Sequence, residues 1–207
     1  MTRLLALAAV AALCAACTAA PATTPAATSQ APTVAPTATQ ATPSPGALRQ
    51  VHDPGQVTGT LTGPCHARDG GQLPDPACTP GAYDPAVTAA VLCAPGYTTA
   101  SYRPPSSQTT AFKHHDAYPA YGIADVPGTV SELDHLISLE LGGANDAANL
   151  WPELGTIPNP KDSVENALAK WVCQAAGGEA ETRLHDARAA IAADWTTAEQ
   201  VLHVNGG

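Results

Sequence analysis

Aromatic side chains make up only 4% of this 207-residue chain, and charged ones only 13%. Lys and Arg total 9 against 18 Asp and Glu, a formal net charge of −9. So few basic residues exclude a protein that grips nucleic acid through a broad cationic surface. The composition also lacks the Glu, Lys and Leu enrichment of a coiled coil. No apolar run approaches the roughly 20 residues of a membrane-spanning helix. Neither HExxH nor GxSxG occurs, which removes the zinc-peptidase and serine-esterase signatures.

Pro (20) and Gly (17) are abundant, and they are unevenly used. Residues 1–17 carry Arg3, then an apolar stretch from Leu4 to Leu13 that is too short to span a bilayer. This is the pattern of a secretory signal peptide. Its end, Leu13-Cys14-Ala15-Ala16-Cys17, resembles a bacterial lipobox, with Cys14 where Leu is usual. Lipid attachment at Cys17 follows from that match, and plain secretion is the alternative. Residues 18–48 are almost wholly Ala, Pro and Thr and have no apolar face. They read as a disordered, extended linker. The folded part is therefore expected over 49–207, in an exported domain that is either a cell-envelope lipoprotein or secreted. All 18 acidic residues and 8 of the 9 basic ones fall there. A polyanionic substrate must then be won by a local site, not by the overall field.

Four cysteines remain in that domain: Cys65, Cys78, Cys93 and Cys173. An even number in an oxidising compartment predicts two disulfides. Three pairings are possible, and the preferred one joins Cys65 to Cys78 and Cys93 to Cys173. No CxxC knuckle exists among the four, which argues against thiolate-bound zinc.

Residues 49–100 are rich in turn signals and read mostly as loop, with a short helix opening at Asp84 or Pro85. Tyr102, Phe112, Tyr118 and Tyr121 are candidate packing anchors in the mixed segment that follows. Between Leu133 and Leu141 apolar residues recur at alternate positions, which predicts a half-buried strand. Gly142 and Gly143 end it in a turn, and Asn149-Leu150-Trp151 forms a short second strand. Asn159 precedes Pro160, which suits a first helical position. Val164, Leu168, Trp171 and Val172 form an apolar helical stripe. A second helix is expected from about Glu181 to Ala193, burying Leu184 and Ile191. Thr196 and Glu199 are spaced as a capping box. Strand, loop, strand, loop, helix gives a ββα unit at about 130–174.

Within that unit stand Glu132-Leu133-Asp134-His135-Leu136-Ile137-Ser138-Leu139-Glu140-Leu141-Gly142-Gly143, then Asn149-Leu150-Trp151-Pro152-Glu153, Lys161-Asp162 and Glu165-Asn166. Together they resemble the HNH endonuclease superfamily, in a bacterial secreted branch. Tyr102-Arg103-Pro104, Lys113 and Tyr121-Gly122 extend the resemblance. It implies an α+β fold: a small ββα-metal (HNH, or His-Me finger) core with C-terminal helices and a loop-rich, disulfide-stapled N-terminal extension. It implies His135 as the general base and Asn149 as the residue that orients it. Asp134 and Asn159 become the metal ligands, and the substrate is nucleic acid, DNA ahead of RNA.

The residue chemistry agrees with these roles. Phosphodiester hydrolysis needs a base near neutrality and a cation on the phosphate. An unperturbed His ionises near pH ~6.5. One carboxylate and one amide oxygen are hard donors, favouring Mg²⁺ or Mn²⁺ over Zn²⁺. Arg103, Lys113 and Lys161 are the candidate phosphate contacts. Adjacent residues of a regular strand face opposite ways, so a bend, bulge or strand end is required at Asp134–His135. Glu132 and Glu153 are surface charges or additional ligands. His114-His115-Asp116 reads as a solvated loop. The rival function is a non-catalytic cell-envelope binding module on the same scaffold. Membrane contact, on either reading, is confined to the N-terminal lipid.

Overall fold

The computed structural model describes residues 48–204 except 54, 127–130, 156–157 and 177. The signal peptide, Cys17 and the linker as far as residue 47 lie outside the described residues. Among these residues the fold is mixed α and β, with two small sheets and two disulfides.

The Pro- and Gly-punctuated first half is held by its connections more than by regular structure. Strand β1 (Arg49–Gln50) pairs in parallel with β2 (Ala82–Tyr83). Helix α1 (Ala89–Leu92) starts four residues later than Pro85, because the Thr88 side chain caps it by accepting from the Val91 N–H at 3.3 Å. Both disulfides take the preferred pairing, Cys65–Cys78 and Cys93–Cys173. They indicate an oxidising compartment. The second closes an 80-residue separation and ties the end of α1 to the end of a later helix.

A helical stretch then runs through the segment that reads from sequence as mixed. Helix α2 (Ser106–Phe112) continues into a π-helical turn (Lys113–Ala117) and α3 (Tyr118–Ala120). The wider π turn shifts the helical register, so no apolar stripe of uniform period crosses the segment. Phe112 and Tyr118 are buried, as anchors should be.

Strand β3 (Ser131–His135) pairs antiparallel with β4 (Leu150–Leu154), placing Glu132 opposite Glu153 and Asp134 opposite Trp151. The expected strand to Leu141 is corrected. The chain bends after His135 and forms a 3₁₀ turn at Leu139–Leu141. Leu136, Ile137, Leu139 and Leu141 are all buried, so the connection is packed on both sides and its apolar spacing imitates a strand. Helices α4 (Lys161–Cys173), α5 (Glu179–Asp194) and α6 (Ala198–Val201) follow. Leu168 and Val172 of α4 meet Leu184 and Ile191 of α5 in the main core. Each such side chain, fully buried, contributes about 2 kcal/mol of transfer free energy. The Thr196–Glu199 capping box does not form: α6 is preceded by Thr197, and the Thr196 hydroxyl bonds Asp194 Oδ1 at 2.6 Å.

Candidate functional site

The β3–β4 connection places the imidazole. Gly143 runs so close to Ile137 that a Cβ would lie 1.7 Å from the Ile137 carbonyl oxygen. Asn149, fully buried, holds the same turn from inside. Its Oδ1 accepts from the Ile137 N–H (2.8 Å) and the Ala82 N–H (3.3 Å). Its Nδ2 donates to the carbonyls of Ile137 (2.9 Å) and Ala144 (3.0 Å). The orienting role expected of Asn149 is therefore corrected: its amide bonds backbone, and none of those bonds reaches the His135 ring.

Asn145 does that work. His135 Nε2 lies 2.8 Å from Asn145 Oδ1. The Asn145 amide nitrogen donates to Asp53 Oδ1 and to the Tyr102 carbonyl, both at 2.8 Å. Its backbone N–H donates to Asp53 Oδ2 at 2.7 Å. Two acceptors on the nitrogen side fix which end of the amide is oxygen. That oxygen accepts, so Nε2 carries the proton and Nδ1 keeps the lone pair. Burial pulls the His135 imidazole below its ordinary value, against the pull of the Asn145 bond and Asp134. The sequence gives no local sign of the Asn145 role, since its clamp, Asp53, stands 92 positions away.

His135 lines a cleft of about 430 Å³ together with Arg103, Lys113, Ser131, Glu132 and Leu133. Two of the three expected phosphate contacts thus meet the imidazole. Arg103 is exposed, while the Lys113 ammonium reaches the Ser131 carbonyl at 2.6 Å. Lys161 is the exception and is corrected. It is only 1% exposed, and its ammonium is taken by Asp134 Oδ2 (2.9 Å), the His135 carbonyl (2.8 Å) and Glu165 Oε1. An ammonium has three N–H donors, so none is left for a phosphate.

β3 does end at His135, yet alternation still sends Asp134 to the other face of the hairpin. Its Oδ2 accepts from Trp151 Nε1 at 3.1 Å as well as from Lys161. There Glu132, Asp134 and Glu153 offer carboxylate oxygens within 4.8 Å of one another. Glu153 is 2% exposed, and its Oε2 has no hydrogen-bond partner among the described residues. Burial first, then Asp134, pushes the Glu153 carboxyl up to about 8. Burial and the Asp134 charge also raise Glu132. Burial alone would pull the Lys161 ammonium down, but Asp134 and Glu165 outweigh it and hold the ammonium charged. The expected ligand role of Asn159 is corrected. Its Oδ1 accepts from the Lys161 N–H at 3.0 Å, serving the start of α4. Neither Asp134 nor Asn159 lines the His135 cleft, whereas Glu132 belongs to both groups. His114, meanwhile, bonds the Asp125 carboxylate at 2.6 Å.

Comparison with family models, with curated proteins and with solved structures found no match.

Proposed function

We propose that the protein is an exported, metal-dependent nuclease that hydrolyses phosphodiester bonds of DNA, or of RNA, with His135 as general base. One observation carries the reading: an imidazole of fixed tautomer at the wall of a cleft that also presents a guanidinium and an ammonium. Nε2–H is committed to Asn145, so Nδ1 is the atom that takes the proton from an attacking water. Arg103 and Lys113 supply the positive charge that a phosphate needs beside an acidic protein, and Arg103 offers a planar fork of donors. Lys161 fixes the end of β3 by holding the His135 carbonyl.

The residues present fit a hard divalent cation. Asp134 sits among carboxylates, and the buried Glu153 Oε2 beside it lacks a partner. Such oxygens suit Mg²⁺ or Mn²⁺. When bound, such an ion would supply positive charge for a phosphate, with Glu132 as the one ligand that also lines the His135 cleft. The HNH-type ββα-metal assignment belongs to this proposal; the β3, β4, α4 order supports it. Export is supported by the two disulfides. Lipid attachment at Cys17 remains part of the same proposal.

The test is degradation of plasmid DNA, and of RNA in a parallel arm, with Mg²⁺ or Mn²⁺. Cleavage is expected, and EDTA or His135→Ala abolishes it. No cleavage of either polymer with any divalent ion overturns the reading in favour of a binding module on the same scaffold.

A further inference from the structure

We infer that Glu132, Asp134 and Glu153 form a preformed site for one hard multivalent cation on the α4-facing side of the β3–β4 hairpin. The register alone puts the three together: Glu132 pairs with Glu153 across the ladder, and Asp134 follows two positions along the same face. One oxygen from each lies within 4.8 Å of the others, close enough for a single ion to touch all three after small rotations.

The second observation is Glu153 itself. It is buried to 2% exposure, and its Oε2 bonds nothing among the described residues. A buried carboxylate oxygen without a partner is costly, and native structures keep few of them. Among the described residues, Asp134 and Glu165 already share the Lys161 ammonium. Glu132 and Glu153 have no part in that ion pair. A cation at the three carboxylates satisfies the orphan oxygen and removes the like-charge repulsion in one step. The donor set is all oxygen and all anionic, which selects Mn²⁺, Mg²⁺, Ca²⁺ or a lanthanide and disfavours copper or thiophilic ions. Glu132 also lines the His135 cleft, while Asp134 and Glu153 do not. As a catalytic site this inference rests on the nuclease reading above. As a binding site it is measured without nucleic acid, so the two fail separately.

The experiment is titration of the purified protein with Tb³⁺, exciting tryptophan. The Trp151 indole N–H is 3.1 Å from Asp134 Oδ2, near enough to sensitise a bound lanthanide. Saturable emission at one ion per chain is expected, displaced by Mn²⁺. Glu153→Gln and Glu132→Gln each weaken binding by about tenfold or more. Asn159→Ala leaves affinity within about threefold, by the same scale. Absence of saturable emission overturns the site. So does binding that survives both Gln variants, or that is lost only with Asn159→Ala. Intact Tb³⁺ binding with no nuclease activity retains the site and overturns the reading above.

Discussion

The buried connection between β3 and β4 and the acidic face of the same hairpin are neighbours built on opposite terms. In the connection, Asn145, Asp146 and Asn149 are at most 4% exposed, and every one has several named partners. On the acidic face, Glu153 is as deeply buried and leaves an oxygen unmatched. Satisfied buried polar groups rigidify one conformation; an unsatisfied one marks where stability has been given up for another end. The connection is thus the part that holds the imidazole still, and the acidic face is the part with an oxygen left unmatched among the described residues.

Mutations in the connection are the harshest way to break that contrast. Gly143→Ala drives a methyl into the Ile137 carbonyl at 1.7 Å, and no side chain can rotate away because the obstacle is backbone. A loss of about 4 kcal/mol or more is expected, read from urea denaturation. Asn149→Ala leaves the Ile137 and Ala82 N–H groups without their acceptor, at a cost of about 3 kcal/mol. Were either variant as stable as the wild type, the connection would not be the rigid partner.

Asp53→Ala asks whether rigidity there serves chemistry. Asp53 touches Asn145 twice and does not line the cleft. Freed of it, the Asn145 amide keeps only the Tyr102 carbonyl on its nitrogen side, and it holds the His135 ring less firmly. A fall in kcat of about 10–100-fold with unchanged KM is expected in the nuclease assay, on the scale of lost support for a site residue. A change in KM alone would make Asp53 part of substrate binding instead.

How much of this was legible in the sequence follows from the range of each interaction. The α4 and α5 stripes rest on neighbours three and four positions apart, and Leu168, Val172, Leu184 and Ile191 are buried as their spacing required. The disulfide pairing is preferred because Cys65–Cys78 closes a short local loop and Cys93–Cys173 ties an early segment to a late helix, and both bridges are present. The two strands were legible but their ends were not: β3 stops at His135, and β4 runs on through Pro152 to Leu154. The roles of Asn145 and Lys161 were not. Asn145 depends on Asp53 and Tyr102, 92 and 43 positions away. Lys161 reads as a surface base, and only the docking of α4 against β3 buries it. For Asn149, pattern gives no direction for an amide, and its bonds are to backbone.

The mildest test lies at Glu165, where the two regions touch through Lys161. Burial pushes the Glu165 carboxyl up to about 7 although Lys161 pulls the other way. Its folded value then exceeds the ordinary 4.5 of the free side chain. The folded protein binds this proton more tightly than the unfolded chain, so the stabilisation is complete below about 4.5 and is lost as pH rises through about 7. Glu165→Gln has no proton to lose. Relative to the wild type, the variant should gain stability steadily between those two values and level off above them, measured by thermal denaturation across pH without metal. A flat difference would show that Lys161 alone balances Glu165. The charge surplus would then be confined to Glu132, Asp134 and Glu153, and the demand for a cation would fall on those three side chains and not on the wider acidic face.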